Sequence, residues 1–340
     1  MVAQDLEYAE LYTVDKSVAV DYFVSSMGFA VVAESTADGK DTALLRLGSV
    51  QLLVTAGDAT QEFLNSHGDG IADIALACDD VGATADAAAA VGARVDNSVP
   101  ERPVISGFGG PVHTLLPAQP RSAGRLPAGR SWTARSPAPG RPDGHITMLD
   151  HVAICVGGGT LDSWADFYED AFGFVRYSSE HVEAGKTGMD SIVVRSRSDR
   201  VTFTLVAPAA ATVPGQLDAF LDRNSGPGVQ HLAFGVEDIV PAVREARARG
   251  VEFLRAPAAY YDMLGDRLGA TPAEIATLRS VDVLADRDEW GELLQLFTRS
   301  PYERNTLFYE FIERRGARGF GSANIRALFE AVERDRLAAG

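Results

Sequence analysis

The chain has 340 residues, 46% of them apolar and 23% charged, with a formal net charge of −16. That length suits two domains, each with its own core, and the acidic balance disfavours binding to a phosphate backbone or an anionic membrane. Cys78 and Cys155 make no disulfide framework, no run approaches the roughly 18 apolar residues of a membrane span, and the start Met1-Val-Ala-Gln-Asp lacks the basic and apolar regions of a secretory leader. A soluble, cytoplasmic protein with a small-molecule task fits these limits.

Residues 5–13 read as a strand, and residues 16–27 as an amphipathic segment stopped at Gly28-Phe29. Ala43 to Thr55 is two apolar runs joined by Gly48-Ser49, a hairpin signal. Ile71 to Cys78 is a further strand, followed by an alanine-rich helix ending at Gly92, then glycine-rich turns and the apolar run Val112–Leu116. Residues 117–146 break the pattern. Pro117, Pro120, Pro127, Pro137, Pro139 and Pro142 are mixed with Arg, Gly, Ser and Ala without an apolar period, so a solvated linker is expected.

The order then repeats. Met148 to Val156 reads as a strand, and Thr160 to Phe172 as a helix with apolar residues at helical spacing and Gly173 as its stop. Ser191–Arg195 and Val201–Ala207 pair as a hairpin. The stretch Gly226-Pro-Gly-Val-Gln-His-Leu-Ala-Phe234 is a turn leading into a strand. Strict alternation puts Val229, His231, Ala233 and Gly235 on one face and Leu232, Phe234 and Val236 on the other. A helix from Asp238 to Gly250 and late strands at Leu293–Thr298 and Thr306–Ile312 follow, and Ser322–Leu337 reads as an amphipathic C-terminal helix.

Laid side by side, the halves match: Asp21-Tyr-Phe and Met27-Gly-Phe29 correspond to Asp166-Phe-Tyr and Phe172-Gly-Phe174. Gly68-Asp-Gly-Ile-Ala-Asp-Ile-Ala likewise corresponds to Gly226-Pro-Gly-Val-Gln-His-Leu-Ala. A βαβββ-type module used in tandem predicts an α+β fold. The expected division is residues 1–116, a linker at 117–146, and residues 147–340. Where the second half has His151 and His231, the first has Tyr8 and Asp73, so only one copy looks equipped for a metal.

His151 and His231 occupy the same relative place in their strands. Glu310 lies between apolar neighbours, where a carboxylate is costly to bury without a cation or donor. Two imidazoles and a carboxylate match the facial triad of non-heme Fe(II) oxygenases. Residues so far apart form no local motif, and taken alone each histidine is also compatible with a satisfied core residue.

From about residue 148 the chain resembles the 4-hydroxyphenylpyruvate dioxygenase family, of the vicinal oxygen chelate superfamily. The matching stretches are Leu149-Asp-His-Val-Ala, Gly226-Pro-Gly-Val-Gln-His, Leu294-Gln-Leu-Phe-Thr298, Leu307-Phe-Tyr-Glu-Phe-Ile-Glu-Arg314 and Gly319-Phe-Gly-Ser-Ala-Asn324. The first half resembles the family's degenerate N-terminal domain more loosely, and the resemblance implies that the tandem modules form two open barrels. The resemblance implies Fe(II) held by His151, His231 and Glu310, with 4-hydroxyphenylpyruvate and O2 as substrates. It implies substrate or cavity contacts at Ser191, Thr204, Val206, Gln216, Gln230, Gln295, Phe297, Phe320, Asn324, Ile325 and Phe329, the C-terminal helix closing the active site. Family members place oxygen either on the ring, giving homogentisate, or on the benzylic carbon, giving 4-hydroxymandelate. Thr204, Val206 and Ile325 are the residue types of the hydroxymandelate-forming members. Benzylic hydroxylation is therefore expected, supplying 4-hydroxyphenylglycine for peptide antibiotics, with homogentisate as the alternative. A homodimer is a further expectation. A ligand-sequestering module, a glyoxalase-like isomerase and an extradiol dioxygenase remain as competing readings.

Overall fold

The computed structural model describes residues 3–99, 101–119, 125–135, 144–184, 187–209, 213–321, 324 and 326. In chain order the first half contains β1 (Ala3–Tyr12), α1 (Lys16–Asp21), β2 (Ala30–Ala37), β3 (Lys40–Leu47), β4 (Val50–Ala56), α2 (Gln61–His67) and β5 (Gly70–Cys78). It continues through α3 (Val81–Ala90), β6 (Val95–Asp96), β7 (Val104–Ser106), β8 (Val112–Pro117) and the short β9 (Thr133–Ala134). The second half begins with β10 (Ile146–Cys155), α4 (Leu161–Phe172), β11 (Val175–Ala184), β12 (Thr187–Arg195), β13 (Thr202–Pro208), α5 (Gln216–Asn224) and β14 (Gly228–Val236). After α6 (Ile239–Ala248) come α7 (Ala258–Asp262), α8 (Leu264–Leu268), α9 (Pro272–Ser280), β15 (Leu284–Arg287), β16 (Glu292–Phe297) and β17 (Phe308–Arg315).

The two sheets share one topology. The first runs β2-β3-β4-β1-β5-β8-β7-β6 with β9 added beside β2, and the second runs β11-β12-β13-β10-β14-β17-β16-β15. In each, two strands from successive βαβββ units pair antiparallel at the centre, β1 with β5 and β10 with β14. The repeat legible in the sequence is thus itself double, two βαβββ units per sheet. The segment from Ala258 to Ser280, where α7, α8 and α9 intervene between α6 and β15, carries no apolar period that announces it.

Helices and outer sheet faces of both halves meet in one core. On α4, Leu161, Ala165, Tyr168, Ala171 and Phe172 are buried, and Gly173 ends the helix at φ 69°, a left-handed cap open to glycine without strain. Burying a side chain the size of Phe172 contributes about 2–3 kcal/mol. His113 of β8 crosses the boundary between the halves: its ring nitrogens lie 3.1 Å from the Ile74 carbonyl and 3.0 Å from the Tyr168 hydroxyl. With Nδ1–H donating to the carbonyl, Nε2 accepts from Tyr168. Burial lowers this imidazole to about 4, so it stays neutral.

The linker departs from the expectation of a solvated tether. Its described stretch, 125–135, packs onto the first sheet: β9 pairs with β2, and Leu126 and Trp132 cover Tyr8, Leu44 and Leu53 on the inner face. Arg125 donates to both Glu7 oxygens at 2.6 Å, and Arg130 reaches Glu10 at 2.5 Å, both carboxylates being buried. Buried carboxylates on the inner face of a sheet require a cation, and the linker supplies it. No helix among the described residues is long and apolar enough to cross a membrane. Apart from Asn324 and Arg326, the predicted C-terminal helix lies outside the described residues.

Candidate metal centre

The second sheet brings its three central strands together at one point. His151 on β10 lies opposite Ala233 on β14, Ala233 lies beside Glu310 on β17, and His231 lies opposite Ala153. All three side chains therefore face the inside of the open barrel, 2–9% exposed. Their donor atoms converge: His151 Nε2 to His231 Nε2 is 3.3 Å, His151 Nε2 to Glu310 Oε2 is 3.3 Å, and His231 Nε2 to Glu310 Oε2 is 3.2 Å. Three donors on one face of an octahedron, each about 2.1 Å from an ion, would stand about 3 Å apart. The residues fit a six-coordinate metal with three positions left open.

Both histidines are oriented from behind. Each follows the extra residue of a β-bulge, Asp150 on β10 and Gln230 on β14, so two consecutive side chains turn toward the interior. His151 Nδ1 is 2.8 Å from Asp150 Oδ1, and His231 Nδ1 is 3.2 Å from Gln230 Oε1. The bulge corrects one expectation. Val229 does not share the face of His231 but joins the core shared by the two halves, because Gln230 breaks the alternation.

Burial works against a charged His151 imidazole, yet Glu310 and then Asp150 carry its pKa up to about 9. Burial lowers that of His231, only partly opposed by Glu310. Against its own burial, Glu310 is held below the usual carboxylate range by His151 and His231.

The triad opens into a cavity of about 400 Å³. Ser191, Thr204, Val206, Gln216, Gln230, Gln295, Phe297 and Phe320 all line it. Gln216 is the first residue of α5, so its amide reaches the cavity from a helix start. Asn324 is fully buried, with its amide nitrogen 3.4 Å from Gln295 Oε1 and its oxygen 2.6 Å from the Tyr260 hydroxyl. At Gly321 a Cβ would stand 2.6 Å from Gln295 Oε1, at φ +72°, so only glycine lets the chain pass there. Ile325 and Phe329 lie outside the described residues.

Sequence reasoning missed several cavity residues. Phe308 stacks on His231 at 5.1 Å and 27°, and Thr306 lines the far wall with its hydroxyl buried and without a protein partner, as is that of Thr204. Phe308 and Thr306 stand two and four positions before Glu310; period-2 alternation already puts Phe308 on the strand face of Glu310, and extended by two residues it could have found Thr306. The remaining histidines do other work: His67 is bonded to the Asn224 carbonyl, His145 to Glu245 and His181 to Asp190.

Comparison with known proteins agrees with this geometry. Residues 148–295 match the sequence model of the Glyoxalase/Bleomycin resistance protein/Dioxygenase superfamily. The chain is 30% identical to the 4-hydroxyphenylpyruvate dioxygenase of Aspergillus fumigatus, covering 98% of this chain and 93% of the relative. It is 31% identical to that of Legionella pneumophila strain Philadelphia 1, covering 93% and 90%. A solved structure of a triple mutant of 4-hydroxymandelate synthase from Streptomyces coelicolor superposes with a TM-score of 0.88 at 47% identity, covering 98% of this chain and 99% of that one. The fold is that of the glyoxalase/dioxygenase superfamily. Within it, the chain belongs to the 4-hydroxyphenylpyruvate dioxygenase family.

Proposed function

We propose that the protein oxidatively decarboxylates 4-hydroxyphenylpyruvate with O2 and hydroxylates its benzylic carbon, giving 4-hydroxymandelate and CO2. Fe(II) is held by His151, His231 and Glu310. The observation that carries this reading is the convergence of two imidazoles and one carboxylate at 3.2–3.3 Å on the wall of a cavity, in a chain 47% identical to a 4-hydroxymandelate synthase. Fe(II) bound there would supply O2 activation and Lewis-acid binding of a 2-oxo acid. The substrate loses its carboxylate as CO2, its former ketone carbon becomes the new carboxylate with one oxygen atom of O2, and the benzylic carbon takes the other.

The chain's own residues orient and enclose. Phe297, Phe308 and Phe320 surround the histidines with apolar edges that exclude water. Gln295, buried among apolar strand neighbours, offers its amide to the substrate's polar end. The wall at Thr204 and Val206 sets the ring's position, and a shift of about 1 Å is enough to change which carbon is attacked. Ser191, Gln216, Gln230, Asn324, Ile325 and Phe329 complete the contacts in this proposal.

The proposal also divides the chain at 116 and 147, places the enzyme in the cytoplasm as a homodimer, and assigns the product to 4-hydroxyphenylglycine supply for peptide antibiotics. Chromatography of the products formed with Fe(II), ascorbate and 4-hydroxyphenylpyruvate tests the central reaction. 4-Hydroxymandelate is expected. Homogentisate would assign the ring-hydroxylating alternative, and absence of O2 uptake would refute both.

A further inference from the structure

Behind the triad stands an ion pair that is not itself part of the cavity lining. Arg314 donates from Nε to Asp150 Oδ2 at 2.7 Å and from Nη2 to Oδ1 at 2.8 Å, and that same Oδ1 is 2.8 Å from His151 Nδ1. The third arm of the guanidinium donates to the Gly319 carbonyl at 2.6 Å. Its plane lies over the Phe320 ring at 5.0 Å, and Phe320 meets the His151 ring edge-on at 5.1 Å and 88°. From the other side, Asp288 Oδ2 accepts the backbone N–H groups of Arg318 and Gly319 at 2.7 Å each. Arg314 is four positions after Glu310 on β17, on the same strand face.

We propose that Asp150 and Arg314 are a positioning pair. Asp150 commits His151 to the tautomer whose Nε2 lone pair faces the metal, and Arg314 ties that carboxylate to the loop carrying Phe320 into the cavity wall. This rests on the metal centre proposed above. A carboxylate gripped by two guanidinium donors can only accept from its third neighbour, so it requires a proton on His151 Nδ1. Orientation of a ligating imidazole by a carboxylate raises its basicity and fixes its plane. Because the same arginine holds Gly319 and covers Phe320, the shape of the cavity wall and the angle of the ligand are set together.

The deciding substitution is Asp150→Asn. Arg314 would claim the single amide oxygen, the NH2 group would turn toward His151, and the imidazole proton would move to Nε2, where it blocks coordination. Calorimetric titration of the metal-free full chain with Co(II) is expected to show affinity reduced about 10–100-fold, with an altered Co(II) visible spectrum. A thermal melt of the metal-free variant, unchanged from the parent, separates lost coordination from lost folding. Arg314→Lys keeps the charge but not the fork. It is expected to lower Co(II) affinity less than Asp150→Asn does and to raise KM for 4-hydroxyphenylpyruvate by loosening the Phe320 wall.

Parental Co(II) affinity and spectrum in Asp150→Asn overturn the proposal. If that variant does not fold, Asp150→Glu decides: the displaced oxygen must shift the Co(II) spectrum, and an unchanged one overturns it. Absence of Co(II) uptake by the unsubstituted protein overturns the metal centre as well, so the two failures are distinguishable.

Discussion

The two sheets are one design carrying opposite contents. By register, Tyr8 opposite Ala75 and Asp73 opposite Glu10 hold the places of His151 and His231. Thr114 on β8 stands where Glu310 stands on β17. In the first sheet these residues bond one another: Asp73 accepts from the Thr114 N–H at 2.9 Å, from its hydroxyl at 2.5 Å and from the Tyr8 hydroxyl at 3.3 Å. The donors of one centre are consumed internally, whereas those of the other point at a shared space. The bulge residue is handled in parallel, since Glu7 is paired with Arg125 as Asp150 is with Arg314. Arg130 and Trp132 from the linker fill the first interior, where the second keeps a cavity. The absence of the triad in the first sheet is accompanied by a peptide segment whose guanidinium groups neutralise the carboxylates buried there.

The comparison can be broken most sharply at His231. His231→Ala is expected to lower 4-hydroxyphenylpyruvate-dependent O2 uptake more than about 1,000-fold, as loss of one member of a catalytic unit does. Asp73→Ala at the matching place is expected to leave a folded protein's kcat within about threefold. An oxygen electrode measures both. In the first sheet, Arg130→Met leaves Glu10 buried without its cation and is expected to cost about 3–5 kcal/mol in urea unfolding. Stability within 1 kcal/mol of the parent would show the linker is not a substitute for the ion.

A pH series sharpens the contrast further. Burial, and then the Glu10 charge, push the Asp73 carboxyl from 3.8 up to about 6. The folded state then holds this proton more tightly than the unfolded one. The contribution to stability is present below pH 3.8 and lost as pH rises through about 6, a swing of about 3 kcal/mol. His113 acts in the opposite sense, stabilising above pH 6.5 and losing that contribution as pH falls toward 4. Thermal melts of Asp73→Asn and the parent from pH 4 to 7.5 isolate the first term. The variant should gain on the parent as pH rises, and a pH-independent difference would contradict the assignment. The smallest effect is expected at Thr204, whose hydroxyl has no protein partner. Thr204→Val should raise KM about 3–10-fold, the scale of one hydrogen bond to a ligand.

Much of this was legible in the chain. His151, His231 and Glu310 sit on strands whose alternation and repeat survive in the sequence, and the cavity residues from Ser191 to Phe320 follow from resemblance. What failed has physical causes. A bulge inserts one residue without changing composition, so alternation gave no sign that Asp150 and Gln230 would turn inward beside their histidines, and only the family resemblance put Gln230 at the cavity. The packed linker was hidden because Arg125, Leu126, Arg130 and Trp132 carry it with no regular period, amid prolines and serines that usually mark a tether. Tyr260 bonds Asn324 across 64 positions, a contact that no local pattern encodes.

The most direct test of the central claim is metal analysis after anaerobic reconstitution with Fe(II). One equivalent per chain in the parent, none in His231→Ala, and one in Asp73→Ala are the predicted results. Two equivalents in the parent, or iron retained without His231, would contradict the assignment of a single centre to the second sheet.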